Sequence, residues 1–328
     1  MVIGKTKELQ ERMSPIRVLG AFSKAWTFMS DPSTTVAMVF SGGLGMAAYH
    51  AGVYQAFSEQ ELPLHWVAGS LAGAVTAALI AGNRRDDRIE RLQEFWNFPP
   101  IQDFSAGSWR HLYGCACGPN QADGKPRAFP PQHSINATGF RSVYDLAPMR
   151  EKMARLIGFG RLNSGESIVC IAATDIETGE PVIFDSRKLP IEIDHLLASC
   201  GFLSEFAPVE LGGRLLRDGG LSLNAPFDPI MKADIRGDLL MYVVDLYARD
   251  GERPRSFEAA AERKNDLLFG NQTAIRLEYC FELRRLRRKL ECSGGDDRIV
   301  LLSYRPEMES RVLKNHLNCQ PQHWRNAG

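Results

Sequence analysis

Short apolar runs alternate along this chain with longer stretches of helical period. Residues 36–40, Val-Ala-Met-Val-Phe, carry no polar side chain and end in the turn Ser41-Gly42-Gly43. Such a run predicts a strand buried on both faces. Residues 47–59 predict a helix, 65–68 a second strand, and 72–81 a second helix closed by Gly82-Asn83. Strand, glycine turn, helix, strand, tight turn, helix is the rhythm of a parallel α/β sheet. A charged helix is expected over 84–96, and further helices over 149–157 and 191–200. Residues 167–174 and 182–185 predict paired strands around Glu177-Thr178-Gly179-Glu180, and 239–246 another apolar strand. Residues 256–292 predict a long helical region and 298–304 a final strand.

The expected fold class is α/β, a three-layer α/β/α arrangement with a mostly parallel central sheet and helical additions. Residues 1–35 read as an N-terminal helical arm and 36–250 as the α/β domain. Residues 251–328 read as helices and a final strand packed on that same domain. Within the domain, 97–142 holds Pro99-Pro100, Cys115-Ala116-Cys117 and Pro130-Pro131, and reads as a surface excursion or lid. Two stretches without Asp, Glu, Lys or Arg, 32–58 and 62–83, have the length of a membrane span. Ser41-Gly42-Gly43 interrupts the first, and Pro63 and Gly69-Ser70 the second, so both are expected in the core. The N-terminus mixes charges without an apolar segment, so no signal peptide is expected.

Composition narrows the function classes. Hydrophobic residues make up 44% of 328 and charged residues 24%, which supports a sizeable core and excludes global disorder. Lys+Arg and Asp+Glu are 39 each, so the chain is not basic overall and no nucleic-acid partner is expected. Seven cysteines, an odd number, favour a reducing, cytoplasmic compartment over a disulfide framework. His111 with Cys115 and Cys117 lacks a fourth ligand at zinc-like spacing, and no metal or other cofactor is expected.

Three segments carry candidate chemistry. The first is the turn Ser41-Gly42-Gly43-Leu44-Gly45, after the first strand. Its glycines let the backbone approach a ligand, and the following helix N-terminus offers free N–H groups to an anion. Gly43, Gly45 and Ala48 also satisfy G-x-G-x-x-A, but the second strand ends in Ala68-Gly69-Ser70 rather than in the acidic residue a dinucleotide site wants. The second segment is Gly69-Ser70-Leu71-Ala72-Gly73, where a strand turns directly into a helix. A nucleophile elbow needs small residues two before and two after its tip. Gly69 and Gly73 place Leu71 at the tip; a shift by one places Ser70 there, flanked by Ala68 and Ala72. The third is Arg217-Asp218-Gly219-Gly220, a carboxylate on a loop of small residues.

In this order the three segments resemble the patatin-like phospholipase family over residues 36–246. The resemblance implies a serine–aspartate dyad acting on acyl esters, mainly lipids, with the turn from Gly42 through Gly43 and Leu44 to Gly45 holding the oxyanion. Asp218 would be the base, with Gly219 and Gly220 completing its motif. Gly69 and Gly73 would be the elbow glycines, and position 71 the nucleophile seat. Here that seat holds leucine where the family has serine. Leu44 stands where a third glycine is expected, Met46 where the family often has a basic residue and Ala47 where it has a glycine. Three readings follow: a lipid- or acyl-binding chain that has lost hydrolysis, an enzyme using Ser70, or a chain altered at position 71.

His316 and His323 keep open a Ser-Asp-His α/β-hydrolase, whose histidine comes last in chain order. His50 reads as a core histidine. Residues 276–290 carry Arg276, Arg284, Arg285, Arg287, Arg288 and Lys289, with Tyr279, Leu283, Leu286 and Leu290 on one face. Two readings are open for this helix. Its apolar face packs on the core beneath a solvated basic face, or the helix makes peripheral contact with an anionic membrane. The expected substrate is a lipid or acyl ester; oligomeric state is not legible.

Overall fold

The computed structural model describes residues 34–43, 46–96, 134–135, 141–142, 146–203, 206–292 and 294–304. Most of the expected N-terminal arm and of the 97–142 excursion lies outside these residues. So do Leu44, Gly45, His111, Cys115, Cys117, His316 and His323.

The chain enters the sheet with β1 (Thr35–Phe40), crosses through α1 (Ala48–Ser58) to β2 (Trp66–Ser70), and continues into α2 (Ala72–Gly82). A 3₁₀ turn at Arg85–Asp87 and α3 (Arg88–Trp96) follow. The expected single helix over 84–96 is thus in two pieces. Strands β3 (Ser134–Ile135) and β4 (Arg141–Ser142) pair antiparallel by themselves. Helices α4 (Ala147–Leu156) and α5 (Phe159–Leu162) precede the hairpin of β5 (Ile168–Asp175) and β6 (Pro181–Asp185). Then come α6 (Ile193–Ser199), a second hairpin of β7 (Val209–Leu211) and β8 (Arg214–Arg217), and the short helices α7 (Gly220–Leu223) and α8 (Asp228–Met231). Strand β9 (Leu239–Asp245), the 34-residue α9 (Phe257–Leu290) and β10 (Asp297–Ser303) complete the order.

The sheet runs β10-β9-β1-β2-β5-β8-β7, with β6 also paired to β5. The five strands from β10 to β5 are mutually parallel, and the antiparallel pairs lie beyond β5. Alternation along each strand divides the core in two. Met38, Phe40, Val67, Ile171 and Tyr242 face a cluster with α1, α2, α3, α4 and α6. Ala37, Val39, Ala68, Cys170 and Met241 face a smaller one with α8 and α9. These are the three layers expected, and burial on both faces explains the unbroken apolar runs. All eleven residues of α2 are buried, which its Ala- and Gly-rich sequence permits by letting the helix lie close to the sheet.

The β7–β8 hairpin was not expected. Its signal is present, however: Gly212-Gly213, at φ 59° and 74°, joins two short runs, the glycine pair that a two-residue hairpin turn favours.

Candidate functional site

Strand β2 passes into α2 through one residue, Leu71, whose backbone sits at φ 49°, ψ −119°. That conformation costs a non-glycine residue of the order of 1–3 kcal/mol and persists only when its surroundings impose it. They do so here. The Leu71 N–H donates to Ser199 Oγ at 2.9 Å. Its carbonyl accepts from the Ala74 and Val75 N–H groups at 3.0 and 3.3 Å, and from Cys200 Sγ at 3.4 Å. Close approach fixes the flanks: a Cβ on Gly69 would stand 2.1 Å from the Gly73 carbonyl oxygen, and one on Gly73 2.1 Å from that of Phe40. The two positions that tolerate no side chain therefore bracket residue 71. Ser70 ends β2 with 0% exposure, its hydroxyl pressed against Gly219 and without a hydrogen-bond partner among the described residues.

Asp218 lies between β8 and α7, also at positive φ (44°), and is buried. Thr174 Oγ1 donates to its carbonyl at 2.7 Å, and the next N–H, of Gly219, donates to the Ser199 carbonyl at 3.2 Å. Ser199 thus holds both turns, the hydroxyl on the 71 side and the carbonyl on the 218 side. Helix α9 secures the far end of the acidic loop. Gln272 Oε1 accepts the Asn224 N–H at 2.6 Å, Gln272 Nε2 donates to the Gly220 carbonyl at 3.3 Å, and Arg276 bonds the Ser222 carbonyl and Asp228.

The two turns meet over Gly220 and Gly42. A Cβ on Gly220 would lie 2.6 Å from Leu71 Cδ1, 3.1 Å from Asn224 Oδ1 and 3.3 Å from Asp218 Oδ1. A Cβ on Gly42 would lie 2.4 Å from Leu71 Cδ1 and 2.6 Å from Asn224 Oδ1. The leucine tip, the carboxylate and the carboxamide therefore share one small volume, which opens only because both glycines lack side chains. Three segments far apart in the chain come together at one rim of the sheet. Leu71, at 3% exposure, fills that volume with methyl groups.

The glycine turn sits where β1 meets β9. The Ser41 N–H donates to the Val244 carbonyl at 2.9 Å, and Ser41 Oγ accepts the Leu246 N–H at 2.9 Å. The Gly42 N–H donates to the Asn224 carbonyl at 3.0 Å, so it is already engaged. Behind the turn, burial pushes the Asp245 carboxyl up to about 7, against the opposing pull of the Tyr247 N–H and the Thr273 and Ser41 hydroxyls. Tyr247 is raised by its own burial and then by Asp245, Asp218 and Asp266 nearby. His50 is fully buried against Phe40, 3.3 Å from Thr76 Oγ1, and burial lowers it to about 3. It is a neutral core residue.

Helix α9 is turned the opposite way from the packed reading. Arg284 and Arg288 face inward to Asp297, and Arg276 to Asp228. Tyr279, Leu283, Leu286 and Leu290 are exposed, at 65%, 47%, 49% and 85%, as are Arg285, Arg287 and Lys289. Arginine forks matched to half-buried carboxylates outweigh the apolar stripe in choosing the packed face. No helix among the described residues is long and apolar enough to cross a membrane.

Ser199, Asn224 and Gln272 were not singled out in the sequence as site residues. Asn224 follows the Asp-Gly-Gly stretch, but nothing local marks Ser199 or Gln272.

No curated protein matches the chain. Among solved structures, the crystal structure of VipD from Legionella pneumophila is similar at 14% identity and a TM-score of 0.41, over 91% of this chain and 66% of that one. The sequence profile described as patatin-like phospholipase matches residues 38–231. That span exceeds half of the chain and holds the glycine turn, the strained residue 71 and Asp218, so the chain belongs to the patatin-like phospholipase family, a family of lipid acyl hydrolases.

Proposed function

We propose that this chain carries the lipid acyl-ester site of its family, with Asp218 as the base, the glycine turn as oxyanion cradle and position 71 as the nucleophile seat. With leucine in that seat, the chain binds an acyl lipid without cleaving it. The observation that carries the reading is the backbone of Leu71. A leucine gains nothing from φ 49°, ψ −119°, whereas a side chain that must project from a strand-to-helix turn needs that geometry. Hydrogen bonds from one distant segment, Ser199-Cys200, maintain it.

A serine at 71 completes a balanced sequence. Its oxygen bonds to the acyl carbon while Asp218 takes its proton, and the carbonyl electron pair moves onto oxygen, facing the N–H groups of the turn. The tetrahedral species collapses by breaking the ester C–O bond, and the departing alkoxide recovers the proton from Asp218. Water then repeats the two proton transfers to release the acid. Leucine has no lone pair with which to begin.

The partner surface belongs to the same reading. The exposed Tyr279, Leu283, Leu286 and Leu290, beside Arg285, Arg287 and Lys289, form an apolar stripe with cations at one end, suited to peripheral contact with an anionic lipid surface.

The test compares ester hydrolysis by the present chain, Leu71→Ser and Ser70→Ala. Activity arising only in Leu71→Ser is expected. The Ser70 hydroxyl, without a partner among the described residues, supports one rival: activity in the present chain that Ser70→Ala abolishes makes Ser70 the nucleophile and overturns the proposal.

A further inference from the structure

Asn224 is 1% exposed, yet neither Oδ1 nor Nδ2 of its carboxamide has a hydrogen-bond partner among the described residues. Its backbone is fully used: the N–H donates to Gln272 and the carbonyl accepts from Gly42. The residue is thus held firmly while its polar end is left unpaired, a costly arrangement for a buried amide. That end points at the shared volume, its Oδ1 near the positions a Cβ would take on Gly42 and on Gly220. The same two positions approach the tip of Leu71, and the second approaches the Asp218 carboxylate. Turning the amide by 180° about its last bond would bring Nδ2 to the same place, and no hydrogen bond to the described residues opposes the turn.

We propose that the Asn224 carboxamide is a substrate-contacting donor: its Nδ2–H₂ hydrogen-bonds the acyl carbonyl oxygen of the bound ester and holds the negative charge that forms there when residue 71 is serine. The inference rests on the proposed ester site and adds a side-chain donor to the main-chain cradle. It also accounts for the occupied Gly42 N–H, since the residue that engages that donor presents another in its place. In the present chain Leu71 Cδ1 and the amide oxygen approach the same two positions.

A donor of this kind acts on the transition state more than on the bound ester, so its loss lowers kcat and leaves KM nearly unchanged. The experiment measures hydrolysis of a short p-nitrophenyl ester by Leu71→Ser, by Leu71→Ser with Asn224→Leu, and by Leu71→Ser with Asn224→Asp. The leucine variant is expected to lose roughly 100- to 1,000-fold in kcat, the usual effect of removing one oxyanion donor. Its melting temperature is expected to equal or exceed that of Leu71→Ser, because an unpaired buried amide has been removed. The aspartate variant, similar in shape but without the donor, is expected to lose at least as much kcat. If Leu71→Ser is itself inactive, the ester-site reading fails, and this inference with it. If Leu71→Ser is active and Asn224→Leu retains its kcat, the ester site stands and the role given to Asn224 is overturned. A kcat loss accompanied by a large fall in melting temperature would also overturn it, by making Asn224 a structural residue.

Discussion

The hydroxyl of Ser199 accepts the main-chain N–H of Leu71 at 2.9 Å, across 128 positions of sequence. The carbonyl of the same serine accepts the Gly219 N–H. One residue at the end of α6 therefore sets the distance between the strained turn and the acidic loop. Ser199→Ala leaves the Leu71 N–H buried and unpaired, at a cost of about 1–3 kcal/mol. Chemical denaturation should show that loss with an unchanged m-value. Amide exchange should quicken at 71–75 and 219–223 while β9 stays protected. Uniform exchange changes across the sheet would contradict the assignment.

Two buried groups give opposing pH dependences. Asp245 titrates near 7 in the fold against a usual value of 3.8, so between those values the folded state holds a proton that the unfolded state has lost. Stability then falls as pH rises, and the penalty is complete above about 7. His50, lowered from 6.5 to about 3, does the reverse: the unfolded state holds the extra proton between those values, so stability rises with pH up to 6.5. Across their shared range the slopes cancel. Asp245→Asn should uncover stability that rises with pH, and His50→Leu stability that falls, each read from denaturation midpoints between pH 4 and 7. Parallel profiles for both variants would contradict these environments.

The outward stripe on α9 predicts a separable loss. Replacing Leu283, Leu286 and Leu290 with Gln should weaken partitioning onto vesicles containing anionic phospholipid by roughly 10- to 100-fold. Because these side chains are already exposed, thermal stability should hardly change. Unchanged partitioning would remove the membrane role from this helix.

The run from β1 to α2 was legible because β1 and α2 are almost wholly buried and carry no charged residue. The turn tip was legible for a related reason. A Cβ on Gly69 or Gly73 would stand 2.1 Å from a backbone oxygen, and such packing leaves its mark in the sequence as obligatory small residues. The orientation of α9 was not legible. Its apolar and basic residues both repeat at helical spacing, and the choice between them was made by Asp228, which neighbours the helix only in space, and by Asp297, which starts the strand that follows it. Ser199 and Gln272 escaped for the same reason, since each is a single polar residue whose partners come from other segments.

The most direct measurement is ester hydrolysis by Leu71→Ser beside the double variant Leu71→Ser, Asp218→Asn, with folding checked by circular dichroism. Restored turnover in the first, falling by about 100-fold or more in the second as a general base is removed, is the predicted result. A folded Leu71→Ser protein without turnover, or turnover indifferent to Asp218, would contradict the proposed pairing of position 71 with the acidic loop.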